Sequence, residues 1–560
     1  MLDASPTTDL VTALKSALSA SQVLTSPSAT ERYRKGFRSG EGEAAAVVFP
    51  KTLVELWRVL EACVEANAII IMQAANTGLT EGSTPKGSYD RPVVIVSTLG
   101  MDALHVLPGD EQVVALPGTT LFSLEKELKA RGRLPHSVIG SSSIGATVIG
   151  GICNNSGGAL VQRGVAYTEL ALYAQRMADG TLRLVNNLDI DLGTTPEEIL
   201  TNVENGTWKK VHETTKKASD VDYAMRIRDV DADTPARYNA DPRCLYEASG
   251  SAGKVCVFAV RLDTFAEPKT SQVFYIGSND ASEFTTLRRA LLTEMTELPV
   301  LAEYMHRGMF NIAETHGKDT YLLIKWLGTD RLPMFFTLKG KMDAIWRRLP
   351  FTPSNLTDVM MQIFARLMPR HLPKFLRQFR DRYEHHLILK VEDDAIAEAE
   401  TILARVLKPE QVRKCSAEEG AKAFLHRFAA AGAAVRYTAV SPSEVEDVIA
   451  LDLALRRNDT DWFETLPKDI TKDLVSALYY GHFMCHAFHQ DYLVKQGRDP
   501  KAVKAKLMAL LQSRGGEYPS EHNVGHLYEA PPALKAHYEG LDPTNTFNPG
   551  IGKTSRDAPG

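Results

Sequence analysis

The chain of 560 residues has no apolar run near the roughly 20 residues of a membrane-spanning helix, so any membrane contact is expected to be peripheral. Cysteine is scarce: Cys63, Cys153, Cys244, Cys256, Cys415 and Cys485 form no CxxC pair, which excludes a zinc ribbon and a thioredoxin-like motif. Their scatter fits reduced thiols in a cytosolic compartment. There is no excess of positive charge; 64 Lys and Arg face 69 Asp and Glu, giving −5, and no nucleic-acid partner is expected. Met1 to Ser16 lacks an apolar h-region, so no secretory signal is expected. GxGxxG and Walker A loops are missing too. Gly550-Ile-Gly-Lys-Thr554 ends like the latter, but Phe547 stands where its first glycine belongs.

What is present is ordinary globular material. The chain is 44% hydrophobic and 24% charged, enough for a core without disulfides. At roughly 150 residues per domain, two to four domains are expected. Leu53, Leu56, Trp57, Leu60 and Val64 recur at helical spacing, and Ala68 to Met72 then reads as a strand. Further strands are expected at Val93 to Ser97, Val113 to Leu116 and Val255 to Leu262, with a helix at Leu121 to Lys129. This predicts an α+β or α/β first domain, ending near Glu267-Pro268. Residues 206–243 are polar and turn-rich and read as surface.

Two small-residue loops stand out. Gln73 to Ser83 follows a strand, and its backbone N–H groups can form an anion nest helped by Thr77, Thr80 and Ser83. Ile139 to Gly158 holds Gly140, Gly145, Gly150, Gly151, Gly157 and Gly158. Glycine costs conformational entropy, so this density suggests backbone lying against a ligand. A flexible linker is the alternative, but Ile144, Val148 and Ile152 at four-residue spacing suit a packed segment.

Histidines gather near the C-terminal end: His482, His486, His489 and, in Ser520-Glu-His-Asn523, His522 beside Glu521. Imidazole and carboxylate suit a divalent ion such as zinc or manganese. Core histidines bonded to backbone carbonyls are the alternative, and the apolar filling Phe483-Met-Cys-His-Ala-Phe488 favours it. Arg427, Arg436, Arg456 and Arg457 are candidate clamps for a carboxylate, although most arginines serve surface ion pairs.

Between Lys339 and Arg382 the composition turns basic: Arg366, Arg370, Lys374, Arg377 and Arg380 interleave with Met360, Met361, Ile363, Phe364, Leu367 and Met368, then Leu372, Phe375, Leu376 and Phe379. Such a surface suits anionic lipid; a core-facing helix with a solvated basic face is the alternative.

In order and spacing, the two loops resemble the FAD-binding domain of the vanillyl-alcohol-oxidase/PCMH type, with Gly250-Ser-Ala-Gly-Lys-Val-Cys-Val-Phe258 as its third contact. Over nearly the whole length the chain resembles the bacterial quinone-dependent D-lactate dehydrogenases. The stretches that carry this are Arg32-Tyr-Arg-Lys-Gly-Phe-Arg-Ser-Gly40, both loops, Tyr304-Met-His306, Ala423-Phe-Leu-His-Arg-Phe-Ala429, Leu455-Arg-Arg-Asn-Asp459 and Asp542-Pro-Thr-Asn545. The resemblance implies an α+β architecture: an FAD-binding domain over 1–267 completed by 520–560, a cap domain over 268–330 and 390–519, and a basic helical membrane-contact segment over 331–389. It implies non-covalent FAD held by Ala74, Ala75, Asn76, Thr77, Gly78, Gly82, Ser83, Gly140, Thr147, Gly157 and Val257. It implies His482, His489 and Glu521 as ligands of Zn or Mn, His522 as base, and Arg427, Arg436 or Arg456 as carboxylate anchors. The expected partners are D-lactate, a membrane quinone and an anionic phospholipid surface, on the cytoplasmic face of the inner membrane. Another D-2-hydroxy acid, such as 2-hydroxyglutarate or 2-hydroxybutyrate, is the alternative substrate. A flavin-binding membrane protein without turnover is the alternative from another class.

Overall fold

A computed structural model describes residues 5–138, 140–327, 338–340, 342, 346 and 355–559. The sequence Ile69-Ile-Ile-Met-Gln73 is apolar on both alternations because its sheet is covered on both faces. It lies in a four-stranded sheet with Val23–Leu24, Ala46–Val48 and Val93–Ser97, and the last two run parallel to it or to each other. Ile70, Val94 and Val96 enter one core cluster; Ile69, Ile71 and Ile95 enter another. The expected helix is Leu53–Glu65, opened by Thr52, whose side chain accepts the Glu55 N–H. It buries Leu53, Leu56, Trp57, Leu60 and Cys63 against this sheet.

A second, five-stranded antiparallel sheet runs in the order Leu104–Val106, Gln112–Ala115, Cys256–Asp263, Ala171–Arg176, Leu182–Asn186. The two sheets share a core through Leu172, Ala174, Cys256 and Phe258. The C-terminal segment returns to this unit: Phe547 bridges Ile70 and is fully buried in the same core.

The remaining sheet has seven antiparallel strands, in the order Val412–Lys414, Ser271–Ser278, His385–Glu392, Leu301–His306, Leu474–His482, Ala487–Lys495, Val445–Ala454. Period-two alternation splits it into two cores. Phe274, Ile276, Tyr304, Leu387 and Leu389 join the helices Ala281–Glu294, Ala395–Val406 and Pro500–Ser513 on one face. Tyr275, Met305, Ile388, Leu478, Tyr480 and Leu493 join Arg307–His316 and Ala417–Val440 on the other.

Three expectations need correcting. Residues 206–243 are not all surface: Tyr223 is fully buried and Arg237 is 2% exposed, because that stretch fills the seam between the sheets. The basic segment does not end at 389, since His385–Glu392 is an interior strand of the seven-stranded sheet. Nor is its apolar run one surface. Met368 to Pro373 break it into two helices. Leu356–Leu367 exposes Met360, Ile363, Phe364 and Leu367, whereas Lys374–Arg382 buries Phe375 and Leu376 and sets Phe375 and Phe379 edge-on to Tyr275. Lys341, Arg347 and Arg348 lie outside the described residues. No described helix is long and apolar enough to cross a membrane.

Candidate active site

Strand register builds the chemistry. Glu303 lies opposite His482, Tyr480 opposite His489, and His489 opposite Asp452 on its other side. All share the sheet face that carries the helix Ala417–Val440, because each is an even number of residues from Met305, Leu478 or Leu493, or odd from Leu453. From that helix Arg427 places Nη2 2.8 Å from Glu303 Oε2 and stacks over the Tyr480 ring. The C-terminal segment then crosses the sheet edge: Glu517 bridges Ala454, and the Glu521 N–H donates to Asp452 Oδ2 at 2.7 Å.

Glu521 thereby becomes the centre of a cluster. Its Oε2 lies 3.2 Å from His482 Nε2 and 3.7 Å from His489 Nε2. The opposite ring nitrogens also face carboxylates: His482 Nδ1 is 2.6 Å from Glu303, and His489 Nδ1 is 3.4 Å from Asp452. Arg237, reaching in from the seam, donates to Glu521 Oε1 at 3.0 Å and to the carbonyls of Gly158, Leu160 and Arg163. Burial alone would raise the Glu521 carboxyl, but His482 and Arg237 hold it well below the usual range. Burial would likewise depress His482, yet Glu303 and Glu521 raise it to about 10. Asp491, two residues beyond His489 on the same strand face, is pushed up to about 6 by burial against the pull of His489 and Arg38. His522 stands at the rim, 37% exposed, with Nε2 3.8 Å from Asp452 Oδ2.

His482, His489 and Glu521, the expected ligand set, offer ligand atoms that all lie within 4.8 Å of one another. The donor chemistry fits a divalent ion. Two Nε2 atoms converge on one carboxylate oxygen, and each Nδ1 faces a further carboxylate, which is how metal-binding histidines are oriented. The apolar filling between the histidines does not oppose this, because Phe483 and Met484 turn into the core on the far face of the sheet.

Of the expected anchors, only Arg427 reaches the cluster. Arg436 is committed to Asp319 at 2.7 Å and Asp358 at 3.0 Å, where it ties three helices together. Arg456 pairs with Asp233 at 2.6 Å and donates to the Arg514 carbonyl. Arg457 donates to the carbonyls of Thr234 and Arg226. Sequence reasoning missed Glu303, Asp452 and Arg237. Each is a lone charge far from its partners, and only strand register or the seam brings it in. It also passed over Arg38, whose charge is felt by Tyr480 and Asp491.

The glycine loops meet beside this cluster. Asn523 Nδ2 donates to Asn154 Oδ1 at 2.6 Å, and Asn548 Nδ2 donates to the carbonyls of Gly82 and Ala252, both at 2.8 Å. Gly250 and Ala252 donate N–H groups to Ile152 and Cys153. Three small-residue segments are thus stitched into one cradle. A Cβ on Gly78 would meet nothing within 4 Å, and one on Gly145 only the Ala75 methyl at 3.9 Å, so both loops present bare backbone to open space. Buried Asn155 Oδ1 and Asn548 Oδ1 accept nothing from the protein. This cradle fits a dinucleotide. Ala74, Ala75, Thr77, Gly78 and Gly82 belong to the first loop, and the second loop contains the turn Gly140–Ile144. Asn76 and Ser83 brace the first loop, with Ser83 Oγ donating to Asn76 Oδ1. Thr147 caps the helix Val148–Cys153. Val257 buries its side chain in the core at a bulge, leaving only backbone for a ligand. Gly157 faces the acid, for a Cβ there would sit 2.6 Å from Glu521 Oε1. Cys153 is a thiol pushed by burial to about 11.

Comparison with known proteins agrees. Residues 44–183 match the family described as "FAD binding domain", and 273–559 match "D-lactate dehydrogenase, membrane binding". A quinone-dependent D-lactate dehydrogenase of Escherichia coli (strain K12) is 60% identical over 96% of this chain and 95% of its own length. Those of Haemophilus influenzae and Corynebacterium glutamicum are 52% and 42% identical, each over 98% of this chain and over 98% and 97% of their own lengths.

The chain belongs to the quinone-dependent D-lactate dehydrogenases.

Its cofactor is FAD. The fold is shared more widely. A solved p-cresol methylhydroxylase with substrate bound superposes with TM-score 0.58 at 12% identity, covering 99% of this chain and 98% of its own. An alkyldihydroxyacetonephosphate synthase gives 0.58 at 13% identity, covering 97% and 84%. The architecture is therefore of the vanillyl-alcohol-oxidase/PCMH type.

Proposed function

We propose that this chain oxidises D-lactate to pyruvate and passes the electrons to a membrane quinone. The observation that carries the reading is the convergence of Arg427, His482, His489, Glu521 and His522 beside the FAD cradle, in a chain so close to dehydrogenases of that name. Bound FAD supplies the two-electron acceptor for the substrate's Cα hydride. Arg427 pairs with the lactate carboxylate, with Arg38 adding positive charge near the mouth. His522 takes the hydroxyl proton from its place at the rim. Arg237 and Asp452 keep Glu521 aimed. An anaerobic visible spectrum tests the reading: D-lactate bleaches the bound flavin, and 2-hydroxyglutarate and 2-hydroxybutyrate do so far more slowly. Bleaching by one of those acids in preference to lactate overturns the substrate assignment.

His482, His489 and Glu521 would hold one Zn or Mn ion, which would supply Lewis-acid stabilisation of negative charge on the substrate oxygen. Elemental mass spectrometry of purified protein is expected to find about one such ion per chain. Asp452→Asn and Glu303→Gln are expected to weaken its retention against a chelator by roughly 10–100-fold, since each orients a ligating histidine. Retention equal to that of the unaltered protein removes the metal from the proposal.

The protein sits on anionic phospholipid at the cytoplasmic face of the inner membrane. Arg366, Arg370, Lys374 and Arg377 have no carboxylate partner among the described residues, and they flank the exposed apolar stripe of Leu356–Leu367. Each such cation near an anionic surface contributes about 1 kcal/mol. Arg370, Lys374 and Arg377 changed together to Glu are expected to lower partitioning onto phosphatidylglycerol vesicles on the order of 10²-fold or more at low salt. Undiminished vesicle binding by the triple variant counts against the electrostatic contact.

A further inference from the structure

A cavity of about 240 Å³ gathers His136, Arg163, Asp220 and Phe265 from four separate stretches of chain. Its lining shares no residue with the loops 73–83 and 139–158 or with the cluster around Glu521. Most of its polar groups are already engaged. Asp220 accepts from Arg226 Nη1 at 2.9 Å and Nη2 at 3.2 Å, and the Ser219 hydroxyl donates to Asp263 at 2.6 Å. The Tyr167 hydroxyl donates to Glu169 at 3.0 Å, and Gln162 Nε2 donates to the Leu298 carbonyl at 2.9 Å.

Two groups are left over. His136 is 5% exposed, and neither of its ring nitrogens has a hydrogen-bond partner. Arg163 makes no ion pair or hydrogen bond among the described residues; its guanidinium lies over the Phe265 ring, 3.3 Å from the centroid. Burial lowers that guanidinium to about 10, and the Glu392 and Asp263 charges offset this only in part. Burial, with the Arg163 charge beside it, also holds His136 neutral, at about 4. A neutral imidazole brings one N–H donor and one acceptor nitrogen. A largely buried cation without a counter-charge, beside a buried imidazole without a partner, costs free energy until an anion with hydrogen-bonding oxygens completes the set.

The lining also sets the class of occupant. One unpaired cation calls for one negative charge, and the planar fork of Arg163 matches the two oxygens of a carboxylate. Asp220, although paired with Arg226, disfavours the second charge of a dianion. Val165, Val221, Ala224 and Phe265 offer apolar surface to a short hydrocarbon body. We propose that this cavity binds a small monocarboxylate with a short apolar body, held by Arg163 and His136 outside the catalytic centre. The place of the site gives its occupant a structural effect. The carbonyls of Leu160 and Arg163 accept from Arg237, which also holds Glu521, and the Val161 N–H donates to the Val300 carbonyl just before the strand Leu301–His306. The site therefore lies on the segment that joins the second glycine loop to the seven-stranded sheet, and an occupant stabilises the folded holoprotein by mass action.

Butyrate is the probe, with inorganic phosphate for comparison. In calorimetric titration of the oxidised holoprotein, Arg163→Gln is expected to weaken one butyrate-binding event per chain at least about tenfold, because the charge-assisted pair is gone. Any butyrate that enters the catalytic site through Arg427 is still bound. His136→Phe weakens the same event by a smaller factor, since one hydrogen bond is lost and the charge remains. Butyrate raises the thermal midpoint of the unaltered holoprotein more than that of Arg163→Gln. Should Arg163→Gln lose its flavin, Arg163→Lys is read in its place; it keeps the charge without the fork and weakens binding several-fold. Butyrate binding that is the same in the unaltered protein and in the Arg163 variant, or no binding at all, overturns the site. Phosphate bound through Arg163 in preference to butyrate overturns the carboxylate assignment.

Discussion

Replacement of His522 by Gln is expected to leave flavin and vesicle binding in place and to slow flavin reduction by D-lactate by about 10²–10⁴-fold, the usual contribution of a general base, the role proposed for His522. That range corresponds to roughly 3–5 kcal/mol of barrier. The reason lies in how the neighbouring imidazoles are used. His482 is held between Glu303 and Glu521, and His489 between Asp452 and Glu521. Both His482 nitrogens and both His489 nitrogens therefore already face acids. His522 has one distant partner, Asp452 at 3.8 Å, and keeps about a third of its surface in solvent. It can accept a proton from substrate and lose it to water. Gln preserves size and hydrogen bonding but has no basic nitrogen, so stopped-flow bleaching isolates the proton transfer. Bleaching at the unaltered rate would take the base away from His522.

Replacement of Arg237 by Met is expected to cost about 3–5 kcal/mol of stability, the loss seen when one partner of a buried ion pair is removed. Arg237 is 2% exposed, and its guanidinium satisfies Glu521 Oε1 and the backbone carbonyls of Gly158, Leu160 and Arg163, at and just beyond the end of the second glycine loop. Met fills the volume but strands the Glu521 carboxylate and those carbonyls away from water. The thermal midpoint of the holoprotein, followed by release of flavin fluorescence, should fall by many degrees. Arg237→Met combined with Glu521→Gln should recover part of the loss, because the stranded charge is then gone. A midpoint unaffected by Arg237→Met would mean that water or another cation replaces the guanidinium, and the seam would lose its assigned role.

Legibility varied with how far apart in the chain the cooperating residues lie. The glycine loops are readable because their signal is local: many small residues in a short stretch have few explanations. The pairing of His482 with His489 is also local, since they flank one tight turn between adjacent strands. Glu303 is invisible at that level. It is one acid in an apolar strand, and it matters only because the register sets it opposite His482. Arginines mislead for the same reason. Arg427 and Arg436 are alike in sequence and share a helix, yet Arg427 turns toward Glu303 while Arg436 is held by Asp319 and Asp358. The basic segment shows the opposite failing. Its apolar residues form one helical pattern on paper, but the break between Met368 and Pro373 lets the first half face outward and turns the second half onto Tyr275.

By itself, then, the sequence determined the cofactor loops, the α+β character and the resemblance that names the chemistry, because each rests on residues close together or on many matched segments at once. Only the tertiary structure decided which charges share the site. Side-chain electrostatics act over a few ångströms of space, and a seven-stranded antiparallel sheet, with the C-terminal segment that crosses its edge, brings Glu303, Asp452, His482, His489 and Glu521 within that distance regardless of their separation along the chain.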